Sequence, residues 1–286
     1  LHQRLHAWQS SELSDLNTTF AQGQSKVIAP DLANIILKAR DYSKLSDGLF
    51  NPAIGQLIGF WGFQNDEFHP IKIDDNKIAS LVKNNPQMTD IILNKLTASS
   101  SNTNVKLDLG GYAKGYALDL GFKILQQQGI KNALINIGGN VIAKGQHNGK
   151  AWRVGIQHPR KPNPIAALDL PDGWAIGTSG DYQRFFILDG KRYCHIIDPR
   201  TGRPAQGTQS VTVLIPPQEN AGVLSDVSSK PIFIAAVDKK VAYAKKMGVT
   251  NFMIILESGE IVVSKAMLKR LQWLDNDAKK QLKVVP

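Results

Sequence analysis

With 286 residues, 42% hydrophobic and 20% charged, the chain has material for one large packed domain or two modest ones. No apolar run approaches the roughly 18 residues of a membrane-spanning helix, and a single cysteine, Cys194, rules out an internal disulfide or a multi-cysteine metal site. A net charge of +10 favours anions such as a phosphate ligand or marks a merely solvated basic surface, while no dense Lys/Arg block or zinc-finger spacing speaks for nucleic acid.

In residues 31–44, Leu32, Ile35, Ile36, Ala39 and Tyr42 recur at helical spacing. Pro30 suits the start of that helix. Residues 65–103 carry polar loops of their own and read as an insertion or subdomain within a single domain spanning 1–286. Strand-like runs follow at 91–93 and 105–109. A second amphipathic helix is expected over 115–128, carrying Tyr116, Leu120, Phe122 and Leu125. Further strand runs lie at 133–137, 152–156, 194–197, 211–215, 252–256 and 261–263, separated by turn signals such as Gly138-Gly139-Asn140. Strands clustered between hairpin turns predict an α+β fold with a largely antiparallel sheet, not regular βαβ alternation.

Four segments carry candidate chemistry. In residues 106–119 (KLDLGGYAKGYALD) a strand is expected to end at Leu109, Gly110 and Gly111 permit a tight turn, and a helix starts near Ala113. Free N–H groups at such a start, with Lys114 in the first turn, suit a phosphate. Neither standard nucleotide fingerprint is present, so glycines serving turn geometry alone are the alternative. Gly138 and Gly139 read as a hairpin turn, or as a place where a flat ring or phosphate approaches the backbone. Residues 177–181 miss the serine-hydrolase spacing, and Cys194 and His195, as strand neighbours, point to opposite faces. What remains there is a binding strand with Tyr193, His195 and Ile197 on one face and a turn at 198–202. Asp226 and Lys230 pair if their segment is helical, although Pro231 disfavours helical geometry at Lys230.

Together, residues 11–17 (SELSDLN), 48–55 (GLFNPAIG), 108–119, 136–139 (NIGG), 178–182 (TSGDY) and 195–202 (HIIDPRTG) resemble, in order and spacing, the ApbE family of FAD:protein FMN transferases. The resemblance covers about residues 6–265. It implies an ApbE-type, T-fold-like mixed sheet with packed helices and an FAD cleft between lobes. It also implies transfer of FMN from FAD to a Ser or Thr of an acceptor flavoprotein, such as a subunit of a membrane redox complex, with release of AMP. A non-catalytic FAD-binding or delivery protein, and an FAD pyrophosphatase yielding FMN and AMP, are the alternatives. Family members are commonly exported lipoproteins, so a periplasmic, lipid-anchored protein is expected, and Leu1 reads as a trimmed or processed start.

The resemblance also implies roles for individual residues. Leu49, Phe50 and Asn51 fall at flavin or adenine contacts, with Asn51 in place of the usual aspartate. Asp108, Lys114 and Ile196 fall at further FAD contacts, beside the glycine turns at Gly110 and at Gly138-Gly139 and the motif residue Thr178. Trp8 falls near an aromatic position said to separate transferases from FAD-hydrolysing relatives. His195 is implicated in proton removal during transfer, with Asp226 as a second catalytic candidate. Mg²⁺ is implied near the pyrophosphate, held by the Gly111 carbonyl, Asp226 and a threonine four residues later. Here that position is Lys230, whose ammonium has donors and no lone pair.

Overall fold

In a computed structural model describing residues 1–286, the strand runs assemble into a seven-stranded sheet. Its order is Leu282–Val285, Ile261–Ser264, Asn251–Leu256, Thr208–Ile215, Ala175–Gly180, Asn140–Lys144 and Ala133–Ile137. All neighbours are antiparallel except Ile261–Ser264 with Leu282–Val285. The central strand Thr208–Ile215 is buried along its whole length, as a strand covered on both faces must be. The fold is α+β, as the clustered strands and hairpin turns predict.

The chain divides into two compact units, residues 1–111 with 184–205 and residues 112–183 with 206–286. In the first unit, helix Glu12–Ala21 opens on a Ser11 capping box. Helix Pro30–Leu45 has its proline in the first turn and buries Leu32, Ile35, Ile36 and Ala39, the stripe read from spacing. Within residues 65–103 lie helix Asp75–Lys83 and the hairpin Ile91–Asn94/Thr97–Ser100. Residues 184–205 join this unit through aromatic packing. Trp61 stacks on Tyr193 with centroids 5.6 Å apart, and its indole N–H donates to the Gly202 carbonyl at 2.7 Å. Burial of several large rings contributes most of the stabilisation at such a junction.

The second unit holds the seven-stranded sheet, a three-stranded sheet of Trp152–Gln157, Pro164–Leu170 and Gln272–Trp273, and the helices Ala113–Gln127, Ala221–Val227 and Ser229–Ile234. Leu168, Leu214, Met253 and Val263 lie in its apolar core. No helix is long and apolar enough to cross a membrane.

Two expected strands are corrected. Residues 105–109 bury Val105, Leu107 and Leu109 in alternation, yet form only a single parallel bridge, Lys106 with Ile54. Their backbone groups are satisfied otherwise: Leu107 exchanges both of its bonds with the Asn17 side chain, and Asp108 N–H donates to Pro52 at 2.8 Å. The 194–197 run breaks into Lys191–Cys194 and Ile197–Asp198, because its pairing partner changes there. His195 N–H donates to the Arg184 carbonyl, whereas the Ile196 carbonyl accepts from Ala205. Tyr193, His195 and Ile197 therefore do not share one continuous strand.

Candidate functional site

The turn at 108–111 is built by Asp108. One carboxylate oxygen accepts the Gly110 N–H and the other the Trp8 indole N–H, both at 2.8 Å. The Lys106 ammonium lies 3.8 Å from the centre of the Trp8 ring, a cation–π contact. Burial lowers the Lys106 pKa, opposed by the nearby Asp108 charge. Trp8 and Asp108 are thus brought together by a direct bond, with Lys106, which the motifs do not single out, as third member.

Other expected ligand contacts in this unit are inward-facing. Leu49, Phe50 and Ile196 are buried. Asn51 is buried too and shapes its own turn, donating to the Pro86 carbonyl at 2.9 Å and accepting the Ala53 N–H at 3.0 Å. His195 is half-buried and sets Nδ1 against the Arg184 carbonyl at 3.3 Å. A carbonyl only accepts, so in this contact Nδ1 is the donor. Asp198, one residue into the following turn, is committed to Arg200 through both oxygens.

The second unit gathers a charged cluster around helix Ala113–Gln127. Lys114 stands in its first turn, and a Cβ added at Gly138 would lie 3.5 Å from the Lys114 Cδ. Gly138 and Gly139 have φ of 56° and 89°, the left-handed pair a two-residue hairpin turn requires. This helix meets helix Ala221–Val227 at a pair of glycines: a Cβ at Gly115 would sit 2.4 Å from the Gly222 carbonyl oxygen. That close approach lets the buried Asp226 carboxylate accept the Gly115 N–H at 3.1 Å. Asp119, one turn further along, accepts the N–H groups of Gly222 and Val223 at 2.7 and 2.8 Å. Burial pushes the Asp119 carboxyl up to about 6, and the two amides pull against that. Thr178, on the strand Ala175–Gly180, shares a hydroxyl–hydroxyl bond with Thr212 at 2.9 Å.

Lys230 closes the cluster. Its ammonium bonds the Asp226 carboxylate and, at 2.6 Å, the Asp226 carbonyl. The Asp226 side chain is 1% exposed and that of Lys230 16%, so this pair is buried rather than a surface ion pair. Burial pulls the Lys230 pKa down, the Asp226 charge opposes this, and the charge of nearby Lys114 adds to the lowering.

The residues at the implied metal position do not fit magnesium. Asp226 spends one oxygen on the Gly115 N–H and the other on Lys230. Lys230 places a cation where a third oxygen ligand is required, and magnesium demands oxygen donors in near-octahedral array. No group of three His, Cys, Asp or Glu side chains in the chain is arranged to hold a metal.

Residues 1–254 match the pattern of the ApbE family. This chain belongs to the ApbE family. A curated relative from Rhodobacter capsulatus, named FAD:protein FMN transferase, is 39% identical over 275 residues, covering 96% of this chain. The chain spans about half of that relative's length, 52%. Among solved structures, the ApbE protein of Thermotoga maritima superimposes with TM-score 0.84 at 30% identity, covering 93% of this chain and 86% of that one. The apo form of the flavinyl transferase ApbE of Pseudomonas stutzeri gives 0.79 at 25% identity, with 94% and 84% covered. The ApbE fold expected from the motifs is therefore the fold of this chain.

Among members of the two clusters, Asp119, Lys106 and Gly222 are not recognisable as such from sequence. Asp119 closes the 106–119 segment but shows its role only once the helix that it tethers is placed beside it.

Proposed function

We propose that this ApbE-family chain is an FAD:protein FMN transferase that moves the FMN half of FAD onto a Ser or Thr hydroxyl of an acceptor flavoprotein and releases AMP. Family membership over residues 1–254 supports the reading. The observation that carries it is the start of helix Ala113–Gln127, where Lys114 packs on the Gly138–Gly139 turn beside the Asp226–Lys230 pair. N–H groups at a helix start together with lysine charge suit a diphosphate.

In this reading the acceptor oxygen attacks the FMN-side phosphorus. A new P–O bond forms as the bond to the AMP oxygen breaks, and the hydroxyl proton passes to a base. The family resemblance supports His195 as that base; within its own unit its Nδ1 lies against the Arg184 carbonyl. Asp226 positions Lys230 and the first turn of the helix. Positioning and charge stabilisation supply most of the rate in such a transfer. The acceptor class (a membrane redox-complex subunit) and a periplasmic, lipid-anchored setting are supported by family resemblance alone.

Incubation with FAD and a candidate acceptor is expected to yield a flavin-fluorescent acceptor band and an equal amount of AMP. The mismatch between Lys230 and a magnesium ligand favours a second reading, an FAD-binding or delivery protein without turnover. Tight FAD binding with no AMP from any acceptor is its signature. FMN and AMP appearing together in solution, with no labelled acceptor, would identify a pyrophosphatase instead.

A further inference from the structure

The departure at position 230 has a positive content. The Lys230 ammonium has three protons, and the structure uses them on two acceptors, both from Asp226. Lys114 is near enough to oppose the Lys230 charge, and it has no ion-pair partner of its own. The Lys230 ammonium therefore meets one carboxylate and one like charge. Two buried donors of the same unit stand without partners: the Ser228 hydroxyl, between Asp226 and Lys230 in the chain, and the Asn140 amide, next in sequence to the Gly138–Gly139 turn. Buried donors left unbonded cost free energy, and so does a like charge set near a buried ammonium. An anion relieves both.

We infer that the Lys230 ammonium takes the place of the divalent cation in this chain, so that Lys230 and Lys114 hold the diphosphate of FAD directly and binding needs no magnesium. A lysine is a point donor well suited to phosphate oxygens. Held by two bonds to Asp226, Lys230 is pre-positioned, and little rotamer freedom remains to be lost on binding. The inference rests on the FAD reading above and narrows it to a metal-free mode of diphosphate recognition.

The test is calorimetric titration of the whole protein with FAD, in EDTA and in Mg²⁺, with Mn²⁺ electron paramagnetic resonance on the FAD-loaded protein. Wild-type affinity is expected to agree within about twofold between the two conditions, with no Mn²⁺ immobilised. Lys230→Thr is expected to bind FAD on the order of 10- to 100-fold more weakly in EDTA, the worth of one charged hydrogen bond, and to recover with Mg²⁺ while immobilising Mn²⁺. Lys230→Met is expected to lose the same affinity in both conditions, with melting curves reporting its fold. A wild-type affinity at least about tenfold weaker in EDTA, or stoichiometric Mn²⁺ on the wild type, overturns the inference and leaves the FAD reading standing. So does a folded Lys230→Thr that binds as well as wild type in EDTA. Absence of FAD binding to wild type in both conditions removes the FAD reading itself. The wild-type comparison decides the matter even if neither variant folds.

Discussion

The two clusters use the same chemical parts to different ends. Around Trp8 the carboxylate of Asp108 is satisfied by two neutral donors, and Lys106 is held over an aromatic face. One acid and one base balance, and each oxygen of Asp108 has a fixed partner. Around Lys114 the buried Asp226 carboxylate is bonded to Lys230, the Lys114 charge opposes that of Lys230, and the buried Ser228 and Asn140 donors of the same unit are unbonded. The first arrangement is complete as it stands and fixes a loop. The second keeps unbonded donors and a like-charge pair that an anion would relieve, which is why it is proposed as the ligand site. What separates them is the ratio of charges and donors to acceptors, which no single motif displays.

The largest break in this comparison comes from removing the acid that pairs with Lys230 in the second cluster. Asp226→Ala leaves the Lys230 ammonium buried without its counter-charge, and loss of one partner of a buried pair costs about 3–5 kcal/mol. Denaturant unfolding is expected to register that loss, and the double variant Asp226→Ala/Lys230→Met to regain a large part of it. If the single variant is as stable as wild type, the pair is not a keystone of the fold.

Next is the glycine crossing that brings the pair together. Gly→Ala inside a helix is ordinarily favourable by up to roughly 1 kcal/mol. At Gly115 the new methyl would meet the Gly222 backbone, so Gly115→Ala is expected to destabilise by about 1–3 kcal/mol, as overpacking does. A stabilised variant in thermal melting would mean that the helices have room to separate.

In the balanced cluster the expected effect is smaller. Trp8→Phe keeps a ring beneath Lys106 and deletes the indole donor to Asp108. The loss is about 1–2 kcal/mol, for one charge-assisted bond at a partly exposed site. Because Asp108 retains the Gly110 N–H, the turn should survive, and amide exchange at Gly110 checks that directly.

Much of this architecture is written in local periodicity. The helix over 31–44, the amphipathic helix behind Lys114 and most strands of the large sheet follow from apolar spacing and turn residues. The i,i+4 spacing foresees the Asp226–Lys230 bond, and the bond forms even though Pro231 follows. Its burial is not foreseeable, because it depends on how closely Gly115 and Gly222 bring two distant segments together. Residues 105–109 mislead for a related reason. Their alternation is real, but a side chain, Asn17, stands where a partner strand was expected. Likewise, nothing local in residues 184–205 announces that they belong with residues 1–111. That assignment is made by Trp61 meeting Tyr193 and Gly202.

The finest test asks whether the tether at the helix crossing is charged. Asp119 has its pKa raised from 3.8 to about 6 by burial, against the pull of the Gly222 and Val223 amides. The folded protein then holds a proton between these values that the unfolded chain has lost. That contribution to stability is present in full below the unfolded value and disappears as pH rises through about 6. Between pH 5 and pH 7 the wild type is expected to lose about 1 kcal/mol relative to Asp119→Asn, which has no proton to release. Unfolding both proteins across that range isolates the carboxyl from every other titrating group. A difference that stays flat, or grows in favour of wild type as pH rises, would mean that the two amides outweigh burial and hold the carboxylate ionised, which would make the tether a charge-assisted cap and shift the balance of the neighbouring two-lysine cluster by one negative charge.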